Sequence, residues 1–274
     1  MDIKLRVNTN YPSFTKSERK VADSLLERAD DIIFFSVTEF ADVSGVGETT
    51  VMRFCRKIGF KGYQDFKLAL AQDVSARKSE TDVPDSADYA QLVYSETVSI
   101  LQDSMSLLDK AKLEQAIELI DRAGQVQFFG VGSSGITALD AKTRFFRIGR
   151  RAEAVADAHF QAMMAATMRP GDVAFGISLS GSTLDTVDIL TKAKRSGASV
   201  VAMTNYAKSP IASVADVVLL TAGKEAPLEG GSIGAKISQL FLIDLICEGL
   251  ARKDLGRVKE SKEKMARAVV DKIY

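Results

Sequence analysis

Val173-Ala174-Phe175-Gly176-Ile177-Ser178-Leu179-Ser180-Gly181-Ser182-Thr183 sets the reading of this chain. It opens as a short apolar run without alternation, the pattern of a strand covered on both faces. It closes as a hydroxyl-rich turn, and a helical pattern follows over 184–196. Other such runs are Val126–Val131, Val200–Thr204 and Val217–Thr221, with Glu153–Ala156 weaker. Helical patterns separate them. Strands alternating with helices predict parallel βαβ units, hence a doubly wound α/β sheet with helices on both sides.

The turn itself is chemical. Ser178, Ser180, Ser182 and Thr183 put four hydroxyls around one glycine, where backbone amides open a helix. That is a nest for a compact phosphate dianion. A plain helix cap needs one hydroxyl. A second loop, Gly130-Val131-Gly132-Ser133-Ser134-Gly135, also follows an apolar run and opens a helix. It fits G-x-G-x-x-G, and Asp157 lies about 20 residues on, as in dinucleotide sites. The same tight turn and free amides suit any phosphate, so a nicotinamide nucleotide and a smaller phosphate both stay open here.

The first third reads differently, as helices only. Thr15-Lys16-Ser17-Glu18 and Ser36-Val37-Thr38-Glu39 are capping-box patterns. After the turn Ser44-Gly45-Val46-Gly47, a helix over 48–58 buries Val51, Phe54, Cys55 and Ile58 and leaves Thr49, Thr50, Arg53, Arg56 and Lys57 outward. With the helix at 37–44 this makes a helix-turn-helix shape. Such a helix fits the major groove, where Arg bonds guanine and Lys57 or Lys61 meets phosphate. An ordinary amphipathic helix with a solvated basic face has the same pattern. Gly47–Lys78 holds seven basic residues and three acids, whereas Ser79–Ile100 holds five acids and no Lys or Arg. That shift predicts an all-α domain over 1–78, a linker and the start of a connecting helix over 79–100, and the α/β domain over 101–274.

Taken together, these stretches resemble the MurR/RpiR family of bacterial transcriptional regulators, which join a helix-turn-helix domain to a sugar-isomerase (SIS) domain. The stretches Ser17–Asp23, Thr49–Gly59, Lys61–Lys67 and Met203–Asn205 match as well. The resemblance implies a DNA-binding regulator, a repressor of a sugar or amino-sugar catabolic operon, controlled by a phosphosugar such as an amino-sugar 6-phosphate. It implies effector contacts from Ser133, Ser134, Ser178, Ser180, Ser182 and Thr183, with His159, Glu229 and Lys236 near the sugar hydroxyls. It also implies a homodimer or higher homo-oligomer on an inverted-repeat operator of double-stranded DNA. Leu179 stands where a His is common in similar regulators, and Gly234-Ala235-Lys236 where Ser-Arg is common. Both leave the sugar's identity open.

Composition bounds the alternatives. Lys and Arg balance Asp and Glu, 36 to 36, so no global charge favours nucleic acid. One His and two distant cysteines, Cys55 and Cys247, support neither a thiolate–imidazole zinc site nor a disulfide framework. We therefore expect no metal, no cofactor, no membrane span and a cytoplasmic protein without a secretory signal. Isomerase chemistry needs a base near neutral pH. His159, Glu225 and Glu229 are candidates, but no acid/base pair stands out, so a non-enzymatic sensor is expected. A sugar-phosphate isomerase or etherase, and an NADH-sensing regulator, remain the alternatives. The helix over 233–247 is apolar nearly all round and must lie in the core or against a partner.

Overall fold

The computed structural model describes residues 3–79, 88–223, 227–228 and 233–270. They form two compact units; the division falls after Ser95, and the described residues 227–228 group with the first unit.

The first unit is helical: α1 (Ile3–Asn10), α2 (Lys16–Ile32), α3 (Val37–Val43), α4 (Glu48–Lys57) and α5 (Tyr63–Ser79). Both capping boxes form. Thr15 Oγ1 accepts from the Glu18 amide while Glu18 Oε2 accepts from the Thr15 amide, and Ser36 and Glu39 do the same. Phe40, Phe54 and Phe66 are fully buried. Phe66 stacks on Phe40 at 6.2 Å and meets Phe54 edge-on at 6.5 Å. Helix α4 ends where Gly59 takes φ +94, with the Phe60 amide bonded back to the Cys55 carbonyl. The sequence reading lacked α1, which fills this core with Ile3 and Val7.

Helix α6 (Tyr89–Ser106) leads into the second unit: α7 (Lys110–Arg122), β1 (Val126–Phe129), α8 (Gly132–Arg147), β2 (Ala152–Ala154), α9 (Ala158–Ala166), β3 (Val173–Ile177), α10 (Leu184–Arg195), β4 (Ser199–Thr204), α11 (Pro210–Val214), β5 (Val217–Leu220), α12 (Ile233–Lys253) and α13 (Leu255–Val269). The strands form one parallel sheet in the order β2-β1-β3-β4-β5. Strands β1 and β3 are buried at every residue, as their unbroken apolar runs require. Successive residues feed opposite layers. Phe128 and Phe175 pack with Ile117 of α7, Phe145 of α8 and Ile243 of α12. Phe129 and Ala174 pack with Ala165 of α9, Ile189 of α10 and Ile211 of α11. Truncating Phe175 to Ala should cost about 3–5 kcal/mol.

Helix α12 is buried within the chain's own core, through Leu242, Ile243, Ile246 and Leu250, and leaves Asp244 and Glu248 exposed. Its apolar girth therefore does not call for a second subunit. Among the described residues, no helix is long and apolar enough to cross a membrane.

Candidate functional site

The strand order places the chemistry. Because β2 lies on one side of β1 and β3 on the other, the loops after β1 and β3 leave the sheet side by side in opposite layers. A crevice opens at such a switch point, at the carboxyl ends of the strands. Phe129 is in register with Gly176, and a Cβ on Gly130 would lie 3.1 Å from the Ile177 carbonyl. The two hydroxyl loops singled out from sequence are thus neighbours.

Each loop delivers a helix N-terminus. Helix α8 starts from Val131 and α10 from Thr183, and neither has a side-chain cap. Asp109, Asp157 and Asp254 do cap α7, α9 and α13. The first amides of α8 and α10, and their positive dipole ends, are left for another acceptor.

The β3 loop is tied down from behind. Ser178 and Thr183 share a hydroxyl hydrogen bond of 3.0 Å. The Gly181 amide bonds the Ser178 carbonyl, and Gly181 has φ +62 with its α-carbon against Ser209 and Thr204. Thr204 Oγ1 and the Asn205 amide both donate to the Leu179 carbonyl, at 3.2 and 3.1 Å. Asn205 reaches the segment that follows β5, donating to the Gly223 carbonyl and accepting from Thr221 Oγ1. Ser180 is exposed, and Ser182 and Thr183 are half-buried, so apolar side chains do not fill the loop mouth.

In the β1 loop Ser133 is half-buried and Ser134 is 8% exposed. Gln239 of α12 donates to Ser134 Oγ at 3.4 Å. Lys236 lies one turn earlier on α12 and shares that face of the helix. His159 sits exposed on the first turn of α9. Two residues later Gln161, fully buried, donates from Nε2 to the Gly130 and Val155 carbonyls at 2.9 and 2.8 Å. Asp157, the acid a dinucleotide site would use, accepts from the Phe160 amide at 2.7 Å as a helix cap. Glu225 and Glu229 lie outside the described residues. Two surface grooves lie elsewhere, about 270 Å³ beside α7 and about 660 Å³ between α8 and α13, and neither is lined by the two loops.

In the helical unit, Thr49, Arg53, Arg56 and Lys61 are exposed. One expectation changes, and one side chain gains a partner. Thr50, read as outward, is 9% exposed, because α2, α3 and α5 all pack on α4 and widen its buried arc. Lys57 is exposed as expected, and its Nζ donates to Glu18 Oε2 at 2.9 Å and to the Ser13 carbonyl at 2.7 Å, above the Phe14 ring. Lys67, counted with the basic block, is half-buried; burial pushes its ammonium down to about 8, against the pull of Glu39. Burial likewise pushes the Cys55 thiol up to about 12.

Residues 1–77 match the helix-turn-helix domain of the rpiR family, and residues 119–248 match the SIS domain. A Haemophilus influenzae HTH-type transcriptional regulator is 37% identical, covering 97% of this chain and 96% of that one. HexR of Pseudomonas aeruginosa, an HTH-type transcriptional regulator, is 32% identical over 93% and 94% of the two chains. The Vibrio vulnificus NanR protein, solved in complex with ManNAc-6P, superposes with a TM-score of 0.90 at 33% identity, covering 99% of each chain. The chain belongs to the RpiR family of transcriptional regulators, with a SIS domain.

In this RpiR-family regulator, sequence reasoning missed Thr137, Gln161 and Gln239 around the crevice. A signal was present for two of them. Gln161 and Gln239 each interrupt an otherwise apolar helix face, and a polar side chain buried there needs partners. Their partners, 31 and 105 residues away, were not legible.

Proposed function

We propose that this regulator represses an operon for sugar or amino-sugar catabolism and releases its operator when a phosphosugar enters the crevice at β1 and β3. The observation that carries this reading is the pair of uncapped helix ends, α8 and α10, on adjacent strands amid serine and threonine hydroxyls. Amides and hydroxyls together form a donor-rich cradle for a dianion. Ser178, Ser180, Ser182 and Thr183 take the phosphate, Ser133 and Ser134 hold phosphate and sugar, and His159, Glu229 and Lys236 approach the hydroxyls. Likeness to NanR, whose structure contains ManNAc-6P, supports an amino-sugar 6-phosphate.

The DNA contacts are Thr49, Arg53, Arg56, Lys57 and Lys61, with Thr50 shaping that helix from its inner side. A homodimer or higher homo-oligomer presents two such helices to an inverted repeat in double-stranded DNA. Exposed Ile136, Leu139 and Phe146 on α8, spaced three and seven apart, supply apolar surface for a second copy. The domain limits follow the charge shift: 1–78 reads DNA, 79–100 connects, and 101–274 senses, all in the cytoplasm. The SIS domain acts as a sensor without turnover. A coupling of about 1–3 kcal/mol changes operator affinity by roughly 5–150-fold.

Ser180→Ala combined with Ser182→Ala tests the reading. Operator binding in a gel-shift titration should persist while the response to N-acetylmannosamine 6-phosphate disappears. An undiminished response refutes the cradle, and enzyme-like turnover of a sugar phosphate refutes the sensor.

A further inference from the structure

We propose that Thr137 and Gln239 form a directional hydrogen-bond chain that fixes the Ser134 hydroxyl as a donor toward the effector. The proposal rests on the phosphosugar reading and deepens it, assigning two positioning residues behind the site.

Thr137 is 1% and Gln239 2% exposed, on facing helices α8 and α12. A buried carboxamide on a helix whose other buried residues include Leu242, Ile243 and Ile246 loses its hydration and must satisfy both ends. Thr137 Oγ1 donates its one proton to Gln239 Oε1 at 2.8 Å. With the carboxamide oxygen on the Thr137 side, the threonine hydroxyl is the donor there. The carboxamide Nε2 then points to Ser134, 3.4 Å from Oγ.

A serine hydroxyl has one proton and two lone pairs. With one lone pair of Ser134 used by Gln239, the proton needs an acceptor. Within a helix the usual acceptor is the carbonyl four residues back. Here that is Gly130, whose carbonyl accepts from Gln161 Nε2 at 2.9 Å, and no hydrogen bond from Ser134 Oγ to it or to another carbonyl forms among the described residues. The Ser134 proton is left for the solvent side, in the first turn of α8, where the uncapped amides also point out. The Ser134 hydroxyl and the first amides of α8 therefore both donate at this end of the crevice. The matching ligand atom is an oxygen without a proton, such as a phosphoryl oxygen of the dianion, and not a P–OH group.

The pH profile separates this role from plain packing. A sugar phosphate loses its second proton near pH 6. Affinity of the full-length wild-type protein, measured by calorimetry with N-acetylmannosamine 6-phosphate and N-acetylglucosamine 6-phosphate, should rise between pH 5 and 7.5. Thr137→Val removes the proton that orients the carboxamide, so the amide can turn its oxygen to Ser134 and draw that hydroxyl inward. Affinity at pH 7.5 should fall about tenfold, the loss of one hydrogen bond to a charged group, and the rise with pH should flatten. Thr137→Ser should restore both. If Thr137→Val fails to fold, Gln239→Met removes the chain from its other end and should give the same loss. Wild-type affinity and pH profile in both Thr137→Val and Gln239→Met would overturn the chain while leaving the phosphosugar reading intact. A wild-type protein that binds neither sugar phosphate would overturn that reading, and the chain with it.

Discussion

Lys57 Nζ stands 2.9 Å from Glu18 Oε2, and this pair fastens the last turn of α4 to the first turn of α2. Glu18 is also the second half of the Thr15 capping box, so one carboxylate serves a helix start and a contact between helices. The arrangement holds the helix proposed to enter DNA from its far end.

Acid should loosen that hold. Burial works against the Glu18 charge, but the Thr15 amide, Lys57 and the Thr15 hydroxyl outweigh it and keep its carboxyl below the usual value. A folded-state pKa below the unfolded one, about 4.3, adds stability that is complete above that pH and is lost as pH falls through the folded value. Glu18→Gln should cost about 1 kcal/mol at pH 7, the scale of a lost cap interaction and a partly exposed ion pair. Denaturant melts at pH 7 and pH 3 check this. An equal loss at both values would show that the carboxylate charge is not what stabilises the junction.

Arg53→Ala and Arg56→Ala should weaken operator binding. If each guanidinium meets a phosphate, each substitution makes the slope of log affinity against log salt shallower by about 0.9. An Arg that reads a base edge instead costs about 1–3 kcal/mol on its cognate site, with less change in slope. Salt titrations on cognate and scrambled duplexes distinguish the two contacts. Unchanged affinity and slope in both variants would remove α4 from the interface.

Gly181→Ala should disable the β3 loop. Its φ of +62 disfavours any Cβ, and one placed there runs into the Ser209 side chain and Thr204 Oγ1. The loop must shift or the protein must store strain of about 1–3 kcal/mol. A lower melting temperature together with a lost thermal shift from sugar phosphate is the expected outcome. A full shift would mean that the loop conformation does not matter for binding.

The sheet was legible in the sequence because β1, β3 and β4 are covered on both sides, so their apolar runs lack alternation. The helix starts at Thr15 and Ser36 were legible because a capping box is a local pattern. Strand order is not local, and it is the order that puts Gly130 beside Ile177 and brings the two hydroxyl loops together. Thr50 was misread because a four-residue stripe was drawn on α4, whereas three neighbouring helices bury a wider arc. Lys57 is exposed as read, but its pairing with Glu18 was not legible because the partner lies 39 residues away. Helix α1 left no signal, since its eight residues carry only two buried side chains, Ile3 and Val7.

The two outermost strands, whose outer sides are left unpaired in the sheet, are short: β2 has three residues and β5 four. A rim this brief offers a foreign polypeptide few consecutive amides and carbonyls to zip onto. Crowded or concentrated preparations should accordingly stay clear of fibril-like stacking through the sheet, and self-association should proceed through helical faces.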